Sequence, residues 1–363
     1  MKGKIKLEIL FWIGYFLIVF SEMFINVKIV CNYTEIITIT GLLFLIVYML
    51  FLSKYYTKKD FWLMILLFGM SIYTYFICRD FTIIKFLILV YCLKNISFDR
   101  LIKKDFYIKI SLFVILILLS ILGLCNVISF NRGTTIRYTL GFIHPNTAGF
   151  YIMLLVFEYM YIYKEKKSIN KMSIIIIGIC INSLLTDSRS SVLALILLAG
   201  SMYIFKIFKN ILNSRIICFI IKNFMIILTI LSLFISVSYL NNEKWTIDLN
   251  DKLSNRLFYL SNSLEEYDIK AFGNEIPANE IIDNQYIFFL LNFGFVFYTV
   301  YYILFYMKFK ELIKSKNNLL LILLLILLVY GLMEKTIFKA SYNVFMLSLS
   351  SVLFNHKKEK KYE

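Results

Sequence analysis

The chain has 363 residues, of which 60% are hydrophobic, with a mean hydropathy of +0.77 and a formal net charge of +16. A water-soluble domain of this length cannot bury so much apolar surface, so the composition predicts a protein that lies largely in a bilayer. The positive charge is dispersed between apolar runs instead of gathered on one face. This argues against a nucleic-acid partner and favours the cytoplasmic loops of a membrane protein.

Apolar runs close to the roughly 20 residues that span a bilayer recur along the whole chain. The candidate spans lie at approximately 8–25, 36–53, 61–78, 82–94, 108–127, 147–163, 172–186, 190–208, 217–240, 284–306, 318–334 and 338–354. No soluble domain interrupts them. We therefore expect residues 1–363 to form a single all-α membrane domain with about twelve transmembrane helices.

The distribution of lysine predicts the orientation. If both termini are cytoplasmic and the spans alternate, every inner connection is rich in lysine, as the positive-inside rule requires. The sequence therefore predicts a multi-pass protein of the cell membrane with both termini in the cytoplasm. Residues 241–283 then form one long extracytoplasmic loop. Its leucines at helical spacing in 251–264 favour a lid that packs over the protein.

Arginine is distributed differently from lysine. Five of the seven arginines fall on the outer side in this topology: Arg79, Arg132, Arg137, Arg189 and Arg256. A guanidinium binds phosphate through two parallel hydrogen bonds, which a lysine ammonium cannot do. Pairing with acids or lipid headgroups would explain one or two of these positions. All five together favour a shared anionic ligand in an outward-facing polar cavity.

The stretch 132–146 reads RGTTIRYTLGFIHPN and precedes a predicted helix. Pro145 suits the first turn of that helix, where its missing N–H costs nothing. The free amides of this turn, flanked by the two arginines of the stretch, predict an anion site. His144 is a proton carrier, a donor to phosphate or a cap bonded to the backbone. Asn146 lies in the same turn and is expected to contact the substrate.

Two later turns carry further candidates. In TDSRSS (186–191), Asp187 and Arg189 either form a local salt bridge beside a serine cap, or Asp187 orients Arg189 on a phosphate, which we favour. The long loop ends in DNQY. There Asp283 is either a helix N-cap or a carboxylate that takes a proton from a sugar hydroxyl. Asn284 and Tyr286 beside it are expected to contact substrate.

Other chemistry has little support in the sequence. The six cysteines are scattered singly without a CxxC pair, so neither a disulfide framework nor a zinc site is predicted. The second histidine, His356, lies in the C-terminal tail, and no metal or other cofactor is expected. Walker, GxSxG, HExxH and DxD motifs are missing from the sequence. Glu334 and Lys335 are predicted to form an internal ion pair.

The motifs together resemble a known family. Two arginines followed by GFIHPN before one helix, T-x-SR-S in a later outer turn, and a long outer loop ending in DNQY-x7-G, with Gly294 as the glycine, are similar to the Wzy-type capsule and O-antigen polymerases of the O-antigen ligase-like superfamily. The resemblance implies a metal-independent, inverting glycosyltransferase. Such enzymes join undecaprenyl-pyrophosphate-linked repeat units into polymer on the outer face of the membrane.

The resemblance also implies roles for individual residues. Pyrophosphate binding would fall on four of the outer arginines, namely Arg132, Arg137, Arg189 and Arg256. Ligases of this superfamily carry a histidine beside the late Asn-x-Tyr, where this chain has Asp283, which suits a polymerase in which Asp283, with His144, serves the chemistry. A flippase and a chain-length regulator are expected partners, besides membrane lipid. The alternatives are a flippase or other transporter of lipid-linked oligosaccharide, and a ligase that transfers finished polymer.

Overall fold

The computed structural model describes residues 2–165, 168–207, 211–277 and 279–354. Within these ranges the fold is helical except for one two-stranded hairpin, so the all-α class is confirmed. The helices are α1 Lys2–Met23, α2 Thr34–Leu52, α3 Lys58–Cys78, α4 Thr82–Cys92, α5 Phe98–Ile121, α6 Pro145–Ile162, α7 Ser168–Ile181, α8 Arg189–Ile207, α9 Arg215–Lys222, α10 Phe224–Leu240, α11 Lys244–Lys252, α12 Arg256–Glu266, α13 Gln285–Ser315, α14 Asn318–Tyr330 and α15 Ser350–Leu353. The strands are β1 Ser129–Arg132 and β2 Thr135–Tyr138.

Three of the described helices are long and apolar enough to cross a membrane: Cys31–Tyr55, Lys58–Cys78 and Gln285–Ser315. The pair Arg215–Lys222 and Phe224–Leu240, bent by 66°, makes a fourth if it is one span. Large apolar side chains lie exposed along α2 and α3, as a lipid-facing surface requires. The structure is therefore compatible with a membrane protein, but it does not confirm the predicted count of about twelve spans.

The last predicted span, 338–354, is not one continuous helix, and its helical part, Val344–Leu353, is too short to cross a membrane. The chain there forms turns, a 3₁₀ helix at Val344–Leu349 and the single turn of α15. Twelve of the seventeen residues of this segment are buried and the other five are partly exposed, which explains the apolar composition without one long regular helix. Asn343 supplies the backbone partners that the helix would have given, since its amide donates to Ile337 O (2.9 Å) and its carbonyl accepts from Phe345 N (3.1 Å).

A buried ionic cluster joins α1, α5 and α6 well inside the bundle. Lys109 Nζ lies 2.5 Å from Asp105 Oδ2 and 3.1 Å from Glu158 Oε1, and Tyr15 OH donates to Asp105 Oδ1 at 2.8 Å. The side chains of the three charged residues are fully buried. Charges at this depth are costly unless they are paired, so the cluster fixes how these helices pack against one another.

The long loop 241–283 contains two helices, α11 and α12, where the sequence predicted one at 251–264. The turn between them places Ser254 and Asn255 in the left-handed region, with φ of 58° and 62°. The leucine stripe packs as expected, because Leu257 and Leu260 are buried. α12 lies against α10, where Ser261 Oγ donates to Ser236 O at 3.1 Å.

Helix α13 is broken at Gly294, where φ is 80° and ψ is 170°. The backbone groups released by this break are bonded to an extended piece of the long loop. Phe295 N donates to Lys270 O and Val296 N to Ala271 O, both at 3.1 Å, and Asn274 N donates to Leu291 O at 3.0 Å. We call residues 267–275 the docked segment.

We predict that Gly294→Ala destabilises the protein by on the order of 3 kcal/mol, because the residue has a strained φ for any L side chain. An added Cβ would also lie 2.3 Å from Ala271 O, with backbone on the other side. Thermal unfolding in detergent measures the loss. Gly69→Ala is the matched control, since a Cβ at that helical glycine meets nothing within 4 Å. Equal melting temperatures for the two variants would contradict this account of the break.

Candidate functional site

The β1–β2 hairpin presents two of the predicted arginines. Its antiparallel register pairs Phe130 with Arg137 and Arg132 with Thr135. Arg137 points inward and is buried, whereas Arg132 lies next to the turn and is half-exposed. The sequence reading missed these strands because each is only four residues long, between two apolar runs. The hairpin fixes the spacing of the two guanidiniums more tightly than a loop would.

The first turn of α6 follows the hairpin and is capped by His144. Its Nδ1 accepts from Asn146 N at 3.1 Å, and Pro145 is the first helical residue. The capping role, which the sequence left as one of three, is therefore present. Burial, with the charge of Arg137 beside it, lowers the pKa of His144, so the imidazole is neutral at pH 7. A neutral ring with Nδ1 occupied leaves Nε2 as its only free nitrogen.

A turn of π-helix, Asn182–Thr186, ends α7 and brings its last residues against the hairpin. Arg137 Nε donates to Thr186 O at 3.0 Å, and Arg132 Nη1 lies 3.1 Å from Asp187 Oδ2. The expectation that Asp187 orients Arg189 is thus wrong. Asp187 adopts a left-handed backbone, with φ of 43°, which turns its carboxylate towards the hairpin. It therefore orients Arg132 instead.

Glu334, which follows α14, joins three side chains of the site. Its Oε1 accepts from Asn146 Nδ2 at 2.8 Å, from Ser190 Oγ at 3.2 Å and from Arg256 Nη2 at 3.1 Å. The predicted ion pair with Lys335 is therefore wrong, since the partner is Arg256. Sequence reasoning missed this hub because its partners lie between 78 and 188 residues away, where no local pattern joins them.

Arg256, the first residue of α12, is held on three sides. Its Nε lies 3.3 Å from Asp283 Oδ2, and its Nη1 donates to Met333 O, besides the contact with Glu334. Burial alone would lower the pKa of Arg256, but Glu334 and Asp283 more than offset it and raise that pKa. Burial, reinforced by Asp283 and opposed by Arg256, raises the pKa of Glu334. Glu334 therefore becomes protonated at a higher pH than an exposed glutamate does.

Three of the four predicted arginines line one cavity of about 90 Å³. We call it the arginine cavity. Its walls are Arg132, Asn146, Arg189, Ser190, Lys252, Leu253, Ser254, Arg256 and Met333. Arg137 lies behind this wall and donates from Nη2 to Asn146 Oδ1 at 2.5 Å. Among the described residues no ion pair or hydrogen bond engages Arg189, so its guanidinium is the one available to a ligand. Arg79 ends α3 and is not part of this cavity.

The Asn284–Tyr286 pair does not line the arginine cavity. Asn284 caps α13 through Tyr286 N and Ile287 N (3.0 and 3.1 Å), and its amide donates to Ser232 Oγ at 2.9 Å. The Tyr286 hydroxyl donates to Leu328 O. Both side chains are buried with their groups satisfied, so the predicted substrate contacts are replaced by structural ones. Asp283, in contrast, reaches the cavity wall through Arg256.

The fold and the site define a helical, membrane-compatible protein with an arginine-lined cavity, to which the long loop contributes part of the wall. Comparisons with protein families, with curated proteins and with solved structures give no match for this chain. Over the residues that the structure describes, no group of three or more histidine, cysteine, aspartate or glutamate side chains is arranged to hold a metal ion.

Proposed function

We propose that this protein is a polysaccharide polymerase of the cell membrane, which joins polyprenyl-pyrophosphate-linked repeat units. The observation that carries the proposal is the meeting of Arg132, Arg189 and Arg256, from three separate elements, on one cavity. Guanidiniums in such an arrangement bind a diphosphate through paired hydrogen bonds. In this proposal the chain is multi-pass, with about twelve crossings, both termini are cytoplasmic, and the cavity opens on the outer face.

The proposed reaction breaks the bond between the anomeric carbon of the growing glycan and its pyrophosphate. An acceptor hydroxyl oxygen attacks that carbon from the opposite face, the electron pair of the broken bond passes to the pyrophosphate oxygen, and the hydroxyl proton passes to Asp283. The arginines stabilise the charge that develops on the leaving group. The polyprenyl pyrophosphate carries the activation, so no nucleotide is required.

A second hollow supports a lipid-linked substrate. A groove of about 270 Å³ is lined by Ser183, Asp187, Arg189, Val192, Leu193 and Ile196. Leu193 and Ile196 are exposed on α8, so they give the groove an apolar lining. Arg189 lines this groove as well as the arginine cavity. A polyprenyl chain in the groove would carry its pyrophosphate directly to Arg189.

The main alternative is a flippase for lipid-linked oligosaccharide. The buried cluster of Lys109, Asp105 and Glu158 is the observation that favours it, because charges at membrane depth mark transport paths. The cluster is fully enclosed, however, and lines none of the cavities described here. A ligase of finished polymer is the other alternative, and the acceptor found in the product distinguishes it.

Reconstitution separates these proposals. Purified protein in vesicles is given lipid-linked repeat units on the same face as the arginine cavity. On that face, polymerisation needs no prior movement of the substrate across the membrane. A polymerase lengthens the glycan, which gel electrophoresis of the released sugar detects as a ladder. Repeat units that keep their original length while they change leaflet would overturn the polymerase in favour of the flippase.

Glu334 predicts a pH dependence of anion binding. Its carboxylate holds Arg256, and its raised pKa means that it takes up a proton at a higher pH than an exposed glutamate does. Protonation removes a negative charge from the cavity wall, so the protonated form of Glu334 should favour the binding of inorganic pyrophosphate. At pH 8, Glu334→Gln should bind it about tenfold more tightly than the parent protein.

Because pyrophosphate itself titrates, the quantity to compare at each pH is the affinity ratio of parent protein and variant, measured by calorimetry. The ratio should approach one as the pH falls, since Glu334 is then neutral in both proteins. Weaker binding by Glu334→Gln at every pH would show instead that the carboxylate positions Arg256 and does not compete with the ligand.

A further inference from the structure

A second polar cavity, of about 520 Å³, lies between α3 and the docked segment. None of its lining residues lines the arginine cavity. We call it the aromatic cavity, after its three rings, Tyr73, Tyr267 and Phe272. It is several times larger than the arginine cavity, and its volume falls in the range of sites that enclose small organic ligands.

The wall of this cavity is an irregular chain that packs against α13, one of the helices long and apolar enough to cross a membrane. The break in α13 lies nine residues from its first residue, about 14 Å along the helix. Within a helix that spans a membrane, non-helical backbone is tolerated only where it is enclosed by protein or borders water. The docked segment satisfies its backbone through Phe295, Val296 and Leu291, and it leaves a hollow on its other side. Broken helices of membrane proteins commonly border binding sites in this way.

The packing that holds the docked segment is tight. A Cβ on Gly273 would lie 1.9 Å from Asn292 O, and one on Gly294 would lie 2.5 Å from Gly273 N. Asn274 donates both amide protons to main-chain oxygens, Asp268 O at 2.8 Å and Leu291 O at 2.9 Å. Its carbonyl oxygen is the remaining hydrogen-bonding group of that side chain. The wall is therefore built before any ligand binds.

The chemistry of the lining differs from that of the arginine cavity. Lys270 and Glu275 are exposed at its edge and carry opposite charges, so the cavity has no excess charge for an anion. The rings of Tyr73 and Phe272 meet edge to face, with centroids 4.9 Å apart, and offer apolar faces beside polar groups. This combination fits a ligand with flat C–H faces and many hydroxyls, which is the chemistry of pyranose sugars.

We propose that the aromatic cavity binds a short stretch of the glycan, on the sugars distal to the one that reacts. This rests on the proposed polymerase function. The arginine cavity holds the pyrophosphate end, and both cavities include residues of the one chain segment between α10 and α13. A polymer anchored at both places stays bound between successive additions, so the aromatic cavity sets how long the product becomes.

The test uses the full-length protein and two probes. One probe is soluble oligosaccharide released by mild acid from the lipid-linked pool of the cells that make this protein, and the other is inorganic pyrophosphate. Tyr73→Ala should weaken oligosaccharide binding about tenfold or more, because it removes a ring, and should leave pyrophosphate binding unchanged. Tyr73→Phe should restore oligosaccharide binding. In reconstituted vesicles Tyr73→Ala should give shorter polymer while the first condensation keeps its rate.

Tyr73 is well suited to this test because it is 56% exposed, so its removal leaves no void in the core. Phe76→Ala, which removes an exposed ring of the same helix outside the cavity, should change neither probe nor product length. Unchanged oligosaccharide affinity and product length in Tyr73→Ala would overturn the proposal, and so would competition by phospholipid headgroups alone. A parent protein that binds oligosaccharide but never lengthens lipid-linked glycan would instead contradict the polymerase function.

Discussion

Arg189→Lys should lower the rate of polymerisation by about tenfold to a hundredfold while the protein is made, inserted and folded normally. The expected loss follows from the replacement of a bidentate guanidinium by a point charge, which removes one charge-assisted hydrogen bond of about 1.5–3 kcal/mol. Among the four arginines, Arg189 is the one whose replacement disturbs the fewest contacts within the protein. It lines both the cavity and the groove, and no described residue bonds to its guanidinium.

The other arginines hold the site together as well as facing it. Arg137 donates to Thr186 O and Asn146 Oδ1, so a lysine there would disturb the hairpin and the first turn of α6. Arg132 and Arg256 are paired with carboxylates. A loss of activity in those variants would mix positioning with binding, whereas a loss at Arg189 reports binding.

The matched control is Arg79→Lys, the same exchange at an arginine that ends α3 away from the cavity. It should polymerise at the parent rate. Ladder formation in vesicles with lipid-linked repeat units measures both variants, and calorimetry with inorganic pyrophosphate measures binding directly. If Arg189→Lys forms full-length ladders at the parent rate, Arg189 does not bind the pyrophosphate, and the proposed function loses its main support.

The parts of the fold that sequence could predict are those governed by composition. The apolar runs predicted helices, and most of them exist, because burial and lipid exposure both favour apolar side chains on helices. The same composition could not distinguish a lipid-facing helix from a buried irregular segment, so 338–354 was predicted as a span. The contacts of Asn343, which replace helical hydrogen bonds, distinguish the buried irregular segment from a lipid-facing helix, and these contacts are known only from the structure.

The site was predictable only in its charges. The predicted topology places most arginines on the outer side of the membrane, among them Arg132, Arg189 and Arg256. The structure brings these three to one cavity. Their partners were not predictable, because Asp187 and Glu334 are recruited through tertiary packing. The sequence therefore assigned Asp187 to Arg189 and Glu334 to Lys335, its nearest neighbours along the chain.

Gly294 belongs to a sequence motif, but its role in the structure is a backbone requirement that the motif does not reveal. The sequence offers it as the end of a short pattern, DNQY-x7-G, with no physical role. In the structure its φ of 80° breaks α13, and the lack of a Cβ admits Ala271 and Gly273 of the docked segment. The residue thereby creates the wall of the aromatic cavity. A backbone requirement of this kind is invisible until the neighbouring chain is known.

Asp283→Asn should lower the turnover number by roughly 10²–10⁴-fold at pH 7, the range expected when a general base is removed. Asp283 is the more exposed of the two carboxylates that contact Arg256. Its side chain is 32% exposed, and its Oδ2 lies 3.3 Å from Arg256 Nε. Glu334 is less suited to the role, since it is buried, already accepts three hydrogen bonds and has a raised pKa. Asparagine keeps the acceptor for Arg256 but cannot take a proton.

The split between turnover and KM distinguishes base catalysis from positioning. Loss of the base lowers kcat with little change in KM, whereas a disturbed Arg256 would raise KM for the lipid-linked donor. Added formate should partly restore Asp283→Ala, because a small carboxylate can enter the vacated volume and accept the proton. Asp251→Asn, an exposed change on α11, should leave both constants unchanged. If Asp283→Asn polymerises at the parent rate, the proton of the acceptor hydroxyl leaves by another route, and Glu334→Gln becomes the variant that must lose kcat.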